Sequence, residues 1–403
     1  MLHKNSRTLL LKTATLILFF CFEISGQQGE KSVIFKNVDV FDGVRVIRNT
    51  NVVVRDGMIR AIGRDVTSTT AELIEGKGKT LLPGLIDAHV HLGTFGADQF
   101  LRDALNFGVT TELEMWGSDA SLALRNKIMT GPIMDLADLR SAGTGITVPR
   151  GHPTQMGGPP IPTLGPTDDV QGFVDARIAE GGDYVKIIYD HSFPTFTKQQ
   201  LEDVIAAIHR RNKLAVVHIS KQQDARDAIE AGADGLAHIF ADSPIEPDFV
   251  KLASEHNIFV IPTLSVLEAI TEPSGKPWWD VPELTPFISK RMREMLGRKF
   301  PPGFGANLKL ANAKRAVSSL RGVGVTILAG TDAPAPTLAH GLSLHRELEL
   351  LVSSGLTPVE ALTSATSATA RTFGFHDRGR IAVGTRADLL LVPVLAEVVC
   401  RRG

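Results

Sequence analysis

The chain has 403 residues, 43% hydrophobic and 22% charged, with 43 basic against 44 acidic side chains. That length exceeds one average domain and fits one large barrel with a small accessory domain. The balance of charge excludes both the basic footprint of a nucleic-acid binder and a polyanionic surface, so no partner held by net charge is expected. The two cysteines, Cys21 and Cys400, imply no disulfide framework.

At the N-terminus, His3, Lys4, Arg7 and Lys12 precede the apolar run 14–22. The run is short for a bilayer span but suits the core of a signal peptide, here assigned to residues 1–28 with cleavage near Gly26. A retained anchor is the alternative. With cleavage, the protein is expected to be exported, periplasmic or secreted, without stable membrane association.

Residues 29–83 carry short alternating runs at 33–38, 51–55 and 58–62, and Asp56-Gly57 between two of them is a hairpin signal. This predicts a small β domain. The stretch 81–93 then reads as a Pro-Gly turn feeding a buried strand that ends in His89-Val90-His91. Side chains two apart on a strand share a face, so both imidazoles point the same way. Two such imidazoles suit a divalent metal; a hydrogen-bonded core pair is the other reading.

Between residues 84 and 375 strand and helix patterns alternate, which predicts a parallel sheet covered by helices. Helices are expected at 98–107, 197–212, 248–256 and 311–320. The second has Leu201, Val204, Ile205 and Ile208 at helical spacing. Strands are expected at 108–113, 214–218, 235–238, 258–261 and 325–332. The segment 271–304, rich in Pro, Trp and Gly, reads as a lid or side excursion. His218, His238 and Asp332 each end an apolar strand, where barrel enzymes place their chemistry. Any one of them alone is more often structural, but a barrel would close all of these ends around one point.

Lys186 lies within the apolar and aromatic run 183–189. Burying its charge is costly, so its pKa should fall and the neutral amine become available to carbon dioxide. The resulting carbamate has two oxygens that can bridge two cations. A lysine snorkelling to the rim is the alternative. Near the C-terminus, 379–392 returns to β character.

The stretch 81–93, followed in order by Lys186, His218, His238 and Asp332, resembles the amidohydrolase superfamily of metal-dependent hydrolases. Residues 341–351 and 356–362 resemble its imidazolonepropionase-like and Xaa-Pro dipeptidase-like branch. The resemblance implies an α/β fold: a (β/α)8 TIM barrel over 84–375 flanked by a β-sandwich built from 29–83 and 376–403. Only nine residues follow Val394, so the last sandwich strands are expected to be shortened or missing.

The resemblance further implies two divalent metal ions, with zinc expected and manganese or cobalt as alternatives. His89, His91 and Asp332 would hold the more buried ion, carboxylated Lys186 would bridge, and His218 and His238 would hold the other. Asp332 would also take the proton from a bridging hydroxide. His152 sits where relatives carry a Gly-His segment that contacts substrate, and Arg150, which replaces the usual glycine, adds a cation suited to a carboxylate. Tyr189 and His191 either face the pocket or are ordinary loop residues.

The implied reaction is cleavage of an amide C–N bond in a small carboxylated substrate, such as a dipeptide or N-acyl amino acid. Two alternatives stand beside it. One is a mononuclear deaminase or cyclic amide (imidazolone) hydrolase, although deaminating relatives place a glutamate three residues after the fifth-strand histidine, where this chain has Lys221. The other is a non-catalytic barrel that only binds. A homo-oligomer stays open.

Overall fold

The computed structural model describes residues 32–393 except 94–95, 132, 273–276, 281 and 283. The expected signal peptide and the tail after residue 393 lie outside the described residues.

Five strands open the chain: β1 (Ser32–Phe41), β2 (Val46–Arg55), β3 (Met58–Gly63), β4 (Glu72–Glu75) and β5 (Lys79–Pro83). The Asp56-Gly57 turn joins β2 to β3, with both residues at positive φ (52° and 68°), the conformation a two-residue hairpin requires. The last described strand, β14 (Leu389–Pro393), adds antiparallel to β5, so the first and last described strands share one six-stranded sheet. Val38, Val40, Val52, Ile59, Leu81 and Leu391 fill its core.

The return to β structure at the C-terminus is shorter than the sequence pattern predicts. Residues 379–388 are turns and extended chain, with Gly379 and Gly384 at positive φ, and they touch the sheet through Ile59, Gly57 and one antiparallel bridge between Met58 and Arg386. Alternating apolarity there reflects packing of a loop, with Ile381 in the core, rather than a ladder.

From Leu85 to Ile327 all described strands pair in parallel, in two sheets. The first contains β6 (Leu85–Val90), β7 (Val109–Glu114) and β8 (Asp138–Ser141); the second runs β13-β12-β11-β10-β9. Its members are β9 (Val185–Ile188), β10 (Ala215–His218), β11 (Gly235–Ala237), β12 (Phe259–Ile261) and β13 (Thr326–Ile327). Two isolated parallel bridges link the sheets, Ile146 with Ile187 on one side and Val90 with Ala333 on the other.

Helices Ala97–Asn106, Lys198–His209, Pro247–Glu255 and Leu310–Gly322 lie where the apolar spacing places them. Leu201, Val204, Ile205 and Ile208 are buried against strand residues Val185, Ala215 and Val217 in one large cluster. Residues of the opposite parity, among them Ile86, Leu113, Val216, Ala237 and Ile261, form a second cluster on the other face of the strands. In register, Lys186 pairs with Val216 and His218 with Ala237, so both share this second face.

The described part of the 271–304 excursion contains helix Lys290–Leu296; Met292 and Leu296 of that helix, with Leu284 and Ile288 ahead of it, cluster with Phe107, Ala339 and Leu342. No helix of the described residues is long and apolar enough to cross a membrane.

Candidate metal centre

The centre begins with β6. His89 and His91 project together, their Nε2 atoms 3.3 Å apart, and each meets Asp332 Oδ1, at 3.2 and 3.0 Å. These three offer ligand atoms all within 4.8 Å of one another, and they are the only such group among the described residues.

The backbone that brings Asp332 here is unusual. Asp332 has φ 67° and His238 φ 74°, both in the left-handed region that non-glycine residues seldom occupy. Such conformations persist where surrounding contacts hold them, and they concentrate at functional sites. Asp332 N donates to His89 O at 2.8 Å. Gly330 makes the approach sterically feasible, because a Cβ there would stand 2.8 Å from His89 N.

His238 follows the end of β11 and stacks obliquely on His89, ring centroids 4.7 Å apart; His218, the last residue of β10, lies edge-on to His238 at 4.6 Å. Thr263 Oγ1 meets His238 Nδ1 at 2.8 Å, which leaves the His238 Nε2 for a ligand role; Asp190 Oδ2 stands 3.7 Å from His218 Nε2, an electrostatic neighbour beyond hydrogen-bond distance.

Lys186 is 2% exposed, and its Nζ has no hydrogen-bond partner. A snorkelling rim lysine is thereby ruled out. Burial lowers the amine from 10.5 to about 7, so neutral and charged forms are comparable near neutrality. Its charge in turn helps depress His89, His218 and His238.

Burial, then Lys186, lowers His89 to about 3; burial, then His218, lowers His238 well below the ordinary imidazole range. Burial also lowers His218, against the opposing pull of Asp190. Neutral imidazoles are the form that binds metal. Asp332 moves oppositely to its burial, which would raise it: hydrogen bonds from His89 and His91 hold its carboxyl well below 3.8. Neutral imidazoles, an ionised carboxylate and an orphaned buried amine together fit divalent cations.

His152 belongs to the same neighbourhood, its ring 5.1 Å from His218 and stacked on Phe193 at 5.4 Å. Burial lowers it to about 4. Gln155 Nε2 lies 2.7 Å from His152 Nδ1; with the amide donating, the ring proton sits on Nε2. Arg150 is exposed on the adjoining turn, at φ 63°.

The other two predicted residues are placed differently. Tyr189 is a core side chain, 1% exposed, whose hydroxyl donates to Asp227 at 3.1 Å, so its ring packs the wall and does not face a pocket. His191 is half-exposed and its Nδ1 meets the buried Asp224 at 2.6 Å, on the loop after β9.

Two supporting residues escaped the sequence reading. Asp87 is fully buried; its Oδ1 accepts from His89 N (3.1 Å) and Thr331 N (3.0 Å), and its Oδ2 from Thr331 Oγ1 (2.8 Å). It thus ties the strand of His89 to the segment of Asp332. The signal was present, an aspartate inside the apolar run 85–90. Thr263 had none, since its partner His238 is 25 residues away.

Residues 80–400 match the model of the amidohydrolase family. A 5-methylthioadenosine/S-adenosylhomocysteine deaminase of Dictyoglomus turgidum is 24% identical, the match covering 90% of this chain and 85% of the deaminase. An imidazolonepropionase of Geobacillus kaustophilus is 25% identical over 87% of this chain and 85% of its own length. Among solved structures, a Xaa-Pro dipeptidase with bound methionine superposes with a TM-score of 0.73 at 22% identity, covering 90% of this chain and 94% of the dipeptidase.

Proposed function

This chain belongs to the amidohydrolase family, and from that premise we propose that it is a binuclear metal-dependent hydrolase cleaving an amide C–N bond of a small carboxylated substrate, a dipeptide or an N-acyl amino acid. The observation that carries the reading is Lys186: a fully buried lysine with an orphaned Nζ, on the face it shares with His218, whose electrostatic reach extends to three histidines. A mononuclear centre has no use for it.

In this reading the two bridges between the parallel sheets close them into one (β/α)8 barrel over 84–375, and the six-stranded sheet belongs to a β-sandwich built from 29–83 and 376–403. His89, His91 and Asp332 would hold one zinc ion, His218 and His238 the other, and Lys186, carboxylated at Nζ, would bridge them. When bound, two such cations lower the pKa of water, polarise the scissile carbonyl and neutralise its developing negative charge.

The chain's own residues supply the rest. Asp332, held ionised, accepts a proton from the attacking water at a carboxylate oxygen and returns it to the leaving nitrogen. His152, neutral and protonated at Nε2, donates a hydrogen bond to the substrate carbonyl oxygen. Arg150, exposed on the turn that precedes His152, is a cation for the substrate carboxylate, and His191, oriented by Asp224, is a second candidate to contact substrate.

A second reading, a mononuclear deaminase, draws support from the Dictyoglomus relative. Lys221 stands where deaminating enzymes need an acid, and Lys186 would be left without a role. Elemental analysis separates the two: close to two zinc ions per fully active chain is the expected result, one ion per fully active chain refutes the binuclear reading. A screen of dipeptides, N-acyl amino acids and lactones with zinc-loaded protein identifies the leaving group.

We further propose that the N-terminal segment directs export and is removed by cleavage near Gly26. N-terminal sequencing of protein from its native host should begin near Gln27; a start at or close to Met1 contradicts this.

A further inference from the structure

Glu347 lies in helix Leu342–Ser353 and makes no contact with a proposed ligand among the described hydrogen bonds, yet its side chain is completely buried. A buried carboxyl needs partners. Its two oxygens accept from consecutive backbone amides, Leu264 N at 2.9 Å and Ser265 N at 2.7 Å. These amides open helix Leu264–Thr271, so the carboxyl satisfies donors that the helix itself leaves unpaired.

The residue just before them is Thr263. It is fully buried and has φ 47°, a conformation that a β-branched residue adopts only when held there. Its hydroxyl meets His238 Nδ1 at 2.8 Å. A second strand of the same linkage runs from Ser265 Oγ, which donates to Thr331 O at 3.3 Å, next to Asp332.

We propose that Glu347 is a positioning residue for the metal centre: its carboxyl clamps the strained turn at Thr263, and through the Thr263 hydroxyl it fixes the tautomer and ring orientation of His238. Partners one step behind a metal-binding histidine set which nitrogen carries the proton, and their loss commonly weakens metal affinity 10- to 100-fold. Glu347 acts one step further back, on the backbone that presents such a partner. The inference rests on the reading of His238 as a ligand.

The test measures zinc affinity by competition with a chromogenic chelator, for the wild type, Glu347→Gln, Thr263→Val, the double variant and, as a control, His238→Ala. Glu347→Gln keeps the side chain's size but offers one acceptor oxygen where two are used. Thr263→Val keeps the branching and removes the hydroxyl. Each single change should weaken the zinc ion assigned to His218 and His238 by about 10- to 100-fold, Thr263→Ser should restore it, and the double variant should be no worse than the weaker single one, because both act along one path.

Glu347→Gln with wild-type zinc affinity, or losses that multiply in the double variant, overturns the proposal. Should Glu347→Gln not fold, Thr263→Val decides, since it leaves the clamp intact: normal zinc affinity there also overturns it. Full zinc content in His238→Ala instead refutes the underlying assignment of His238, and so distinguishes the two failures.

Discussion

Replacing Asp87 with alanine removes a buried side chain that joins both sides of the centre, and its cost can be worked from the structure. Two buried donors lose their acceptor, His89 N and Thr331 Oγ1, and Thr331 N is left with only its longer bond to His89 O at 3.2 Å. A buried donor left unsatisfied costs about 1–3 kcal/mol. The sum overstates the effect, because the Thr331 hydroxyl can turn, and because burial followed by the charge of Glu112 pushes the Asp87 carboxyl well above its ordinary range, so removing it relieves a cost. A net loss of about 3–5 kcal/mol is expected for Asp87→Ala, and about half of that for Asp87→Asn, which keeps one acceptor oxygen and the shape. Urea unfolding of metal-free protein measures both. Zinc affinity should fall along with stability, since the donors flank His89 and Asp332. Asp87→Ala within about 1 kcal/mol of the wild type would refute the argument that these hydrogen bonds hold the two segments together.

Burial raises the Glu347 carboxyl from 4.5 to about 7, with its hydrogen bonds to Leu264, Ser265 and the Ser265 hydroxyl opposing and the charge of Glu268 adding to the rise. A carboxyl raised on folding stabilises the fold fully below its unfolded value and loses that contribution as pH climbs through its folded value. Metal-free wild type should therefore lose up to about 3 kcal/mol between pH 5 and pH 8 from this group, a slope that Glu347→Gln lacks; parallel pH profiles in urea unfolding would contradict this. Gly330→Ala places a methyl 2.8 Å from His89 N and 2.5 Å from Ile261 Cγ2. It should cost about 1–3 kcal/mol and weaken zinc binding, and unchanged zinc affinity would show that the Asp332 segment can move aside without consequence.

What the sequence shows of this protein follows from how local each signal is. His89 and His91 are legible because a strand repeats every two residues, and the 197–212 helix because Leu201, Val204, Ile205 and Ile208 repeat at helical spacing. Lys186 is legible through its misfit, a charge inside an apolar strand. The supporting residues are written differently: Thr263 meets His238 across 25 residues and Glu347 meets Leu264 across 83. Neither carries a local pattern, and both look like ordinary polar residues in or beside a helix. Tyr189 misled for a related reason. It follows the lysine in sequence, but strand alternation turns it to the opposite face, toward the helices and Asp227. At the C-terminus alternating apolarity over 379–392 mimicked a strand, whereas two glycines at positive φ break the chain into turns until Leu389.

The central claim is that Lys186 bridges two metal ions as a carbamate, and Lys186→Ala tests it most directly. Alanine removes both the bridge and its negative charge, so zinc content and turnover should collapse together on a substrate that the wild type cleaves. A short carboxylic acid that fits the vacated space should restore part of both, since a carboxylate supplies the same pair of oxygens. Wild-type protein reconstituted without bicarbonate should likewise load zinc poorly. Near-wild-type zinc content and hydrolysis in Lys186→Ala, with no response to added carboxylate, would contradict the bridging role and leave a mononuclear centre at His89, His91 and Asp332.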